Sequence, residues 1–273
     1  MEFKNININF MLDEFKFETL LELNQPATIC INGASKSGKN YWANEAIYWM
    51  NRNKMIGKFK YAFLFSKTSD IQDSFPQVPN ENRFTNLNNL QKIINIRMKS
   101  KKKDEHILII LDDFATMKEN GKMVKNSDAL SGITYFRHLG ISCVMLTHRD
   151  TQLSPLQRNS CSIVVNFLPK TKQDQRSIKE RYLSIGSDKK MIDSVYEQVF
   201  EQQYRALVCE QYKNATSLKD YCTISTAPSK LRKYKLNLIL PQDKKSKKKL
   251  SRSRIYETDS IQIHKHRQNN PRA

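Results

Sequence analysis

The pattern of apolar and polar positions predicts short buried strands that alternate with helices. Five runs are apolar along nearly their whole length and are predicted strands: residues 27–32, 61–65, 107–111, 141–147 and 162–167. Helical spacing of apolar residues predicts five helices: residues 39–52, 86–98, 127–139, 173–184 and 188–203. A hairpin is predicted from residues 204–211 and 220–226. Fully apolar strands that alternate with helices are typical of a mostly parallel sheet with helices on both faces. We therefore predict an α/β domain over residues 1–240.

Charge separates a C-terminal tail, residues 241–273, from this domain. The chain has 273 residues and a net charge of +19, and residues 228–273 carry +11 of it. Such an excess predicts a polyanionic partner, most often nucleic acid. The tail has too few apolar residues to order by itself. Its candidate DNA contacts are Lys244, Lys245, Lys247, Lys248, Lys249, Arg252 and Arg254. The alternative is a tail that only keeps the protein soluble.

Several classes of protein are disfavoured by composition. The five cysteines are dispersed and form no C-x-x-C pair, so we expect reduced thiols in the core. The longest strongly apolar run has five residues, too few for a membrane-spanning helix. The N-terminus lacks the pattern of a signal peptide, which favours an intracellular protein.

A phosphate-binding loop is predicted at the junction of the first strand and the first helix. Residues 33–40 read GASKSGKN and match G-x-x-x-x-G-K. Gly33 and Gly38 would let backbone N–H groups of Ala34, Ser35, Lys36 and Ser37 face a phosphate at the positive end of the helix. Lys39 would reach the β- and γ-phosphates. The alternative is a glycine turn that binds nothing.

The residue after this lysine departs from the usual pattern. Ser or Thr, whose hydroxyl ligates Mg²⁺, normally stands there, and this chain has Asn40. An amide oxygen is also a hard ligand, although Mg²⁺ is strict about geometry. We expect nucleotide binding to survive and turnover to be slower, or the metal position to shift.

Two acids close the third predicted strand, at Asp112 and Asp113. An apolar strand that ends in an acid supplies the second half of a P-loop NTPase site. Asp112 would hold Mg²⁺, and Asp113 would orient or deprotonate the attacking water. Adjacent acids suit RecA-like ATPases better than GTPases, and the T-K-x-D sequence at residues 171–174 lacks a companion D-x-x-G. The alternative is that both acids only end the strand.

Three further segments narrow the choice of protein family. They read FRHLGIS at residues 136–142, LTHR at residues 146–149 and LSPLQRN at residues 153–159. Together with GASKSGKN and LDDF, they resemble the FtsK/HerA superfamily of DNA-pumping ATPases. Within it, the chain is most similar to the poxvirus-type genome-packaging ATPases of large DNA viruses, virophages and Maverick/Polinton elements. The resemblance covers roughly residues 20–210.

The resemblance implies a RecA-like (ASCE-type) fold, ATP and Mg²⁺ as cofactors, and a ring of subunits that moves double-stranded DNA into a capsid. It implies an arginine finger at Arg137, with Arg158 and Arg149 in reserve, and a sensor at the end of the fourth strand. The family usually has Gln at the sensor position, and this chain has His148. Arg137 could instead be a cation that stabilises a helix C-terminus.

The expected partners are double-stranded DNA, other copies of the chain and a capsid or portal-type protein, at a viral assembly site or in the virion. Two alternatives remain open at this stage. One is a nucleic-acid-binding protein with a degenerate, slow or non-hydrolysing P-loop. The other is a cellular or plasmid DNA translocase with the same chemistry.

Overall fold

The computed structural model describes residues 11–67, 74–100, 105–114, 118–119, 122–123, 128–236 and 238. The chain divides into two units, residues 1–238 and 239–273. The predicted basic tail, with its seven candidate DNA contacts, lies outside the described residues. The domain boundary at residue 240 and the role of the tail stay predictions.

The described chain contains ten strands. They are β1 (Thr28–Asn32), β2 (Phe59–Ser66), β3 (Arg83–Phe84), β4 (His106–Asp112), β5 (Lys118–Glu119), β6 (Lys122–Met123), β7 (Ile141–Thr147), β8 (Ile163–Phe167), β9 (Arg205–Glu210) and β10 (Cys222–Thr226). The α-helices are α1 (Lys39–Met50), α2 (Asn88–Lys99), α3 (Asp128–Ser131), α4 (Pro155–Asn159), α5 (Lys172–Tyr182), α6 (Lys189–Phe200) and α7 (Leu218–Tyr221). Short 3-10 helices lie at Phe17–Leu21, Asn80–Asn82, Gly132–Leu139 and Asp150–Gln152.

Eight strands form one sheet in the order β10-β9-β8-β1-β7-β4-β2-β3, and β5 pairs with β6 separately. The six strands from β8 to β3 are parallel, whereas β9 and β10 add an antiparallel hairpin at one side. The mostly parallel sheet predicted from the sequence is therefore confirmed. β7 lies between β1 and β4, so the strand that precedes the phosphate loop is separated by one strand from the strand that ends in acids. This order is the RecA-like, ASCE-type arrangement.

Alternate residues of the central strands point into two separate cores. Ile29 and Ile31 of β1 pack in the core that contains Trp42 of α1. Cys30, between them, points to the opposite core, which contains Leu90 of α2. Burial on both faces explains why these strands are apolar throughout. All five cysteines are buried and free, which confirms the expectation of core thiols.

The helix predicted over residues 127–139 is present over residues 128–139, but most of it is a 3-10 helix. The described part of this segment is the four-residue helix α3 followed by an eight-residue 3-10 helix, Gly132–Leu139. Its buried residues Leu130, Ile133 and Phe136 are spaced by three, which matches three residues per turn. Gly132 and the β-branched Ile133 and Thr134 also weaken the preference for an α-helix. The segment ends at Gly140, whose φ of 69° is left-handed.

A chain of hydrogen bonds around His106 connects three strands. The Nδ1 atom lies 3.0 Å from the carbonyl oxygen of Gly57, which can only accept, so Nδ1 carries the proton. Nε2 then accepts from the hydroxyl of Ser142 at 2.8 Å. That hydroxyl oxygen accepts from the N–H of Ala27 at 3.2 Å. Burial lowers the pKa of His106 to about 4, because a protonated ring would lose its solvation, and the positive charge of Arg97 acts in the same direction.

This arrangement predicts acid sensitivity. The pKa of His106 is lower in the folded chain than its ordinary value of 6.5, so between pH 6.5 and pH 4 the unfolded chain binds a proton that the folded chain does not. The free energy of unfolding is therefore highest above pH 6.5 and decreases as the pH falls toward 4. The loss amounts to at most about 3 kcal/mol. Urea unfolding between pH 7 and pH 4 should show a smaller decline in His106→Gln than in the wild type. His138→Gln, which changes an exposed histidine, serves as the control, and an unchanged decline in His106→Gln would contradict the prediction.

Candidate nucleotide site

The phosphate loop joins β1 to α1 and depends on two glycines. A Cβ atom placed on Gly33 would lie 2.8 Å from Cβ of Phe167, and one on Gly38 would lie 2.7 Å from Cβ of Ala227. Gly38 also has a φ of 102°, and Lys36 has a left-handed φ of 64°. The loop therefore packs so closely on its neighbours that side chains at the two glycines would displace it.

Inside this loop, the ammonium group of Lys39 is buried. It donates to the carbonyl oxygen of Gly33 and, at 3.1 Å, to that of Ala34. Burial lowers the pKa of Lys39, while the negative charges of Asp113 and Asp112 oppose that shift. The hydroxyl of Ser37 is buried and has no hydrogen-bond partner within the described residues. A cation and a hydroxyl donor thus lie together at the helix N-terminus, which suits a phosphate group.

The two predicted acids lie beside this lysine, at the carboxyl end of β4. Asp112 is buried, and the hydroxyl of Ser66 on β2 donates to its Oδ2 atom at 3.5 Å. Burial, and then the neighbouring charge of Asp113, raise the pKa of Asp112 to about 6. Asp113 is partly exposed and has a left-handed φ of 48°. A non-glycine residue in this conformation is uncommon and re-aims the carboxylate after the strand ends.

His148 follows β7 and pairs with the second acid. Its Nε2 atom lies 3.1 Å from Oδ1 of Asp113, and both side chains are about 40% exposed. β7 lies next to β4, so the carboxyl ends of these two strands place the pair beside the buried carboxylate of Asp112. The sequence prediction assigned separate roles to the two residues, and the structure brings them into direct contact.

A buried polar network under the loop was not predicted. Asn32 ends β1, accepts from the Thr147 hydroxyl and donates to Oδ1 of Asn166 at 2.8 Å. The backbone N–H of Gly33 donates to the carbonyl oxygen of Thr147 at 3.0 Å. The network therefore ties together the carboxyl ends of β1, β7 and β8. The available sequence feature was a polar residue at the end of two apolar strands, β1 and β7, and next to the end of a third, β8.

The donor set around the loop fits Mg²⁺. Asp112 supplies a buried carboxylate, and Asn40 supplies an amide whose Nδ2 atom donates to Ser74 at 2.8 Å. Within the described residues, no group of three or more His, Cys, Asp or Glu side chains could hold a metal by itself. Mg²⁺ usually takes one or two protein ligands together with substrate phosphates.

Arg137 lies at the opposite end of the sheet from the phosphate loop. It precedes β7, whose seven residues separate it from the nucleotide edge by about 20 Å. This distance exceeds the reach of an arginine side chain within one subunit. The guanidinium is exposed and makes one hydrogen bond within the described residues, to the adjacent His138 at 3.3 Å. Arg97 holds the end of this segment by donating to the Leu139 carbonyl oxygen at 2.8 Å and 3.0 Å.

The two reserve arginines have different surroundings. Arg158 is 11% exposed, its Nη1 atom donates to the carbonyl oxygens of Asp150 and Leu153, and its Nε atom lies 3.9 Å from Oδ2 of Asp150. It therefore fixes the turn after β7. Arg149 is exposed at the nucleotide edge, and its Nε atom lies 3.8 Å from Oδ2 of Asp174.

The T-K-x-D sequence forms the start of α5. The Thr171 hydroxyl accepts from the N–H of Asp174 at 3.1 Å and donates to Oδ2 of that residue at 2.6 Å. These are the contacts of a helix N-cap. They account for the motif without a bound guanine.

The burial of Asp112 predicts a conflict between stability and function. Its pKa is higher in the folded chain than the ordinary value of 3.8, so ionisation opposes folding; this cost is absent below pH 3.8 and complete above about pH 6. We expect Asp112→Asn to raise the free energy of unfolding at pH 7.5 by about 1–3 kcal/mol. Denaturant unfolding without Mg²⁺ or nucleotide measures this.

The gain should shrink toward zero at pH 4. Glu197→Gln is the control, because it neutralises an exposed acid of α6 that does not act on the pKa of Asp112 and should change stability little. A loss of stability at pH 7.5 in Asp112→Asn would refute this account of the buried acid.

Comparison with known proteins places this geometry in a family. The genome packaging NTPase B204 of Sulfolobus turreted icosahedral virus 2, in complex with ATP-gammaS, matches with a TM-score of 0.50 and 17% identity, over 73% of this chain and 96% of its own. B204 of Sulfolobus turreted icosahedral virus matches with a TM-score of 0.49 and 16% identity, over 74% and 98%. EssC (ATPases 2 and 3) of Geobacillus thermodenitrificans matches with a TM-score of 0.48 and 16% identity, over 74% of this chain and 40% of its own.

At such low identity, the B204 complex with ATP-gammaS shows a shared fold. No curated protein matches the chain. The family model described as Poxvirus A32 protein matches residues 12–252, which is most of the chain. The chain therefore belongs to the Poxvirus A32 protein family.

Proposed function

We propose that this protein is an ATP-hydrolysing motor that packages double-stranded DNA into a viral capsid as a ring of subunits. Membership of the Poxvirus A32 protein family supports the proposal. The observation that carries it is the placement of β7 between β1 and β4, which gathers the phosphate loop, Asp112, Asp113 and His148 at one edge of the sheet.

In this proposal, the loop binds the triphosphate of ATP. Backbone N–H groups of residues 34–39 hold the phosphates, and Lys39 exchanges the carbonyl oxygens of Gly33 and Ala34 for β- and γ-phosphate oxygens. Asp112 and Asn40 would hold Mg²⁺, which neutralises phosphate charge when bound. In this proposal, the function of Asp112 requires a buried carboxylate whose ionisation lowers the free energy of unfolding.

Hydrolysis then uses the second acid. Asp113 accepts the proton of the water that attacks the γ-phosphate, and its carboxylate is held by His148. His148 holds Asp113 and reports the state of the γ-phosphate as the sensor. Arg149, which follows it in the sequence, adds a cation at the same edge.

Arg137 completes the site of a neighbouring subunit. A cation placed on the γ-phosphate in trans stabilises the charge of the transition state and couples adjacent sites. The surface around it suits a subunit contact, because Tyr135 is 64% exposed and Leu156 is 63% exposed on two elements that touch. A heterologous contact of this kind closes into a ring when the rotation between successive subunits closes.

The remaining partners follow from charge and family. The basic tail would bind DNA through its phosphates, so binding should be largely independent of sequence. A capsid or portal-type protein would receive the ring. In the part of the chain that the structure describes, no helix is long and apolar enough to cross a membrane.

A second candidate function is supported by two residues that depart from the family pattern. Asn40 replaces the usual Ser or Thr and donates to Ser74, and His148 replaces Gln. A protein with an impaired metal site would bind ATP and DNA without turnover. This candidate differs from the first in a single measurable property, the release of phosphate over many cycles.

The motor proposal predicts ATP hydrolysis that double-stranded DNA stimulates. Lys39→Ala and Asp113→Ala should each lower the multiple-turnover rate by about a hundredfold or more, since each removes a group that acts on the transition state. Phosphate release measures the rate, and circular dichroism verifies the fold.

Lys172→Ala is the control, because it removes an exposed lysine from the T-K-x-D sequence and should leave the rate and the preference for ATP unchanged. Normal hydrolysis by Lys39→Ala would refute the assignment of the site. ATP binding without turnover in the wild type would favour the second candidate.

A further inference from the structure

The turn between α6 and β9 carries an aromatic side chain that no part of the proposed mechanism uses. Tyr204 has a φ of 65°, and its side chain is 46% exposed. A left-handed backbone is an uncommon and strained conformation for a bulky residue. The carbonyl oxygen of Tyr204 accepts from the N–H of Ala227 at 3.0 Å, which fixes the turn against the segment after β10.

This side chain lies next to the phosphate loop. A Cβ atom placed on Gly38 would lie 3.6 Å from Cδ1 of Tyr204, 3.5 Å from Cε1 of Phe167 and 2.7 Å from Cβ of Ala227. Gly38 is the N-cap of α1 and the last residue before Lys39. The exposed ring therefore stands beside the end of the loop at which the helix begins.

The strand order determines which end of a nucleotide meets this ring. Asp112 ends β4 and His148 follows β7. Both strands lie on one side of β1, so the γ-phosphate must face that side. β8 and β9 lie on the other side of β1, and Tyr204 directly precedes β9. A nucleoside triphosphate bound along the loop has its base at the end opposite the γ-phosphate, so the base extends toward β8 and β9.

We propose that Tyr204 is the platform on which the base of the bound nucleoside triphosphate stacks. The inference rests on the proposed function, since it requires a triphosphate in the loop. Tyr204 is nearly half exposed and its backbone is held in a left-handed turn, so its ring is accessible to a flat base beside the loop. Stacking of this kind contributes affinity without reading hydrogen-bond donors or acceptors on the base.

The role of Tyr204 predicts a separation between binding of the base and binding of the phosphates. Tyr204→Gly removes the ring and relieves the left-handed strain, so it should not lower the thermal unfolding midpoint. Its affinity for the non-hydrolysable analogue adenylyl imidodiphosphate, measured by calorimetry with Mg²⁺ on the full chain, should fall by about tenfold, as for the loss of one base–aromatic stack.

Three further measurements make the test specific. Inorganic tripolyphosphate, which lacks a base, should bind the wild type and Tyr204→Gly equally. Tyr204→Phe keeps the ring and should bind the analogue as the wild type does. Tyr212→Gly removes a tyrosine of similar exposure beyond the other end of β9 and should leave both affinities unchanged.

Two results would overturn the proposal while leaving the motor function intact. One is unchanged affinity for the analogue in Tyr204→Gly. The other is an equal loss of affinity for the analogue and for tripolyphosphate, which would assign Tyr204 a structural role in the loop. A wild-type protein that binds neither ligand would refute the nucleotide site together with this proposal.

Discussion

The close packing of the phosphate loop on the carboxyl ends of β1 and β8 is the constraint on which the rest of the site depends. Gly33 allows the loop to approach Phe167, and Gly38 allows it to approach Ala227. This contact orients Lys39 toward the end of β4, and the insertion of β7 supplies the right spacing between loop and acids. The hydrogen bond from Gly33 to Thr147 fixes the loop to the same inserted strand. A side chain at either glycine would disturb the loop, the lysine and β7 together.

The site is also a place where burial opposes charge. Lys39 and Asp112 are both buried. Burial lowers the pKa of Lys39 and raises the pKa of Asp112, and both changes favour the neutral side chain. Each charge partly offsets the shift of the other. The side chains that complete the site, Asp113 and His148, remain partly exposed. The inner pair is therefore shielded from solvent, and the outer pair is accessible to it.

Much of this could be predicted from sequence, because the strands are apolar throughout and the loop motif has a fixed local geometry. The two acids were predicted from the apolar strand that ends in them, and His148 was predicted from the resemblance to a family. Three features were beyond local patterns. The 3-10 helix that contains Arg137 differs in its sequence pattern from an α-helix only by a repeat of three residues per turn in place of 3.6. The contact between Asn32 and Asn166 joins residues that are 134 positions apart in the chain. The left-handed turn at Tyr204 comes from the packing of the chain after β10, which no local motif encodes.

The central claim is that the carboxyl edge of this sheet is one half of an ATP site and that Arg137 of a neighbouring subunit is the other. Mixing two inactive variants tests it directly. Lys39→Ala retains Arg137 but cannot use its own loop, and Arg137→Ala retains an intact loop but lacks the finger. If Arg137 acts in trans, the mixture contains interfaces with both groups, and DNA-stimulated hydrolysis reappears at a level that neither variant reaches alone. A mixture as inactive as its two components would contradict the account.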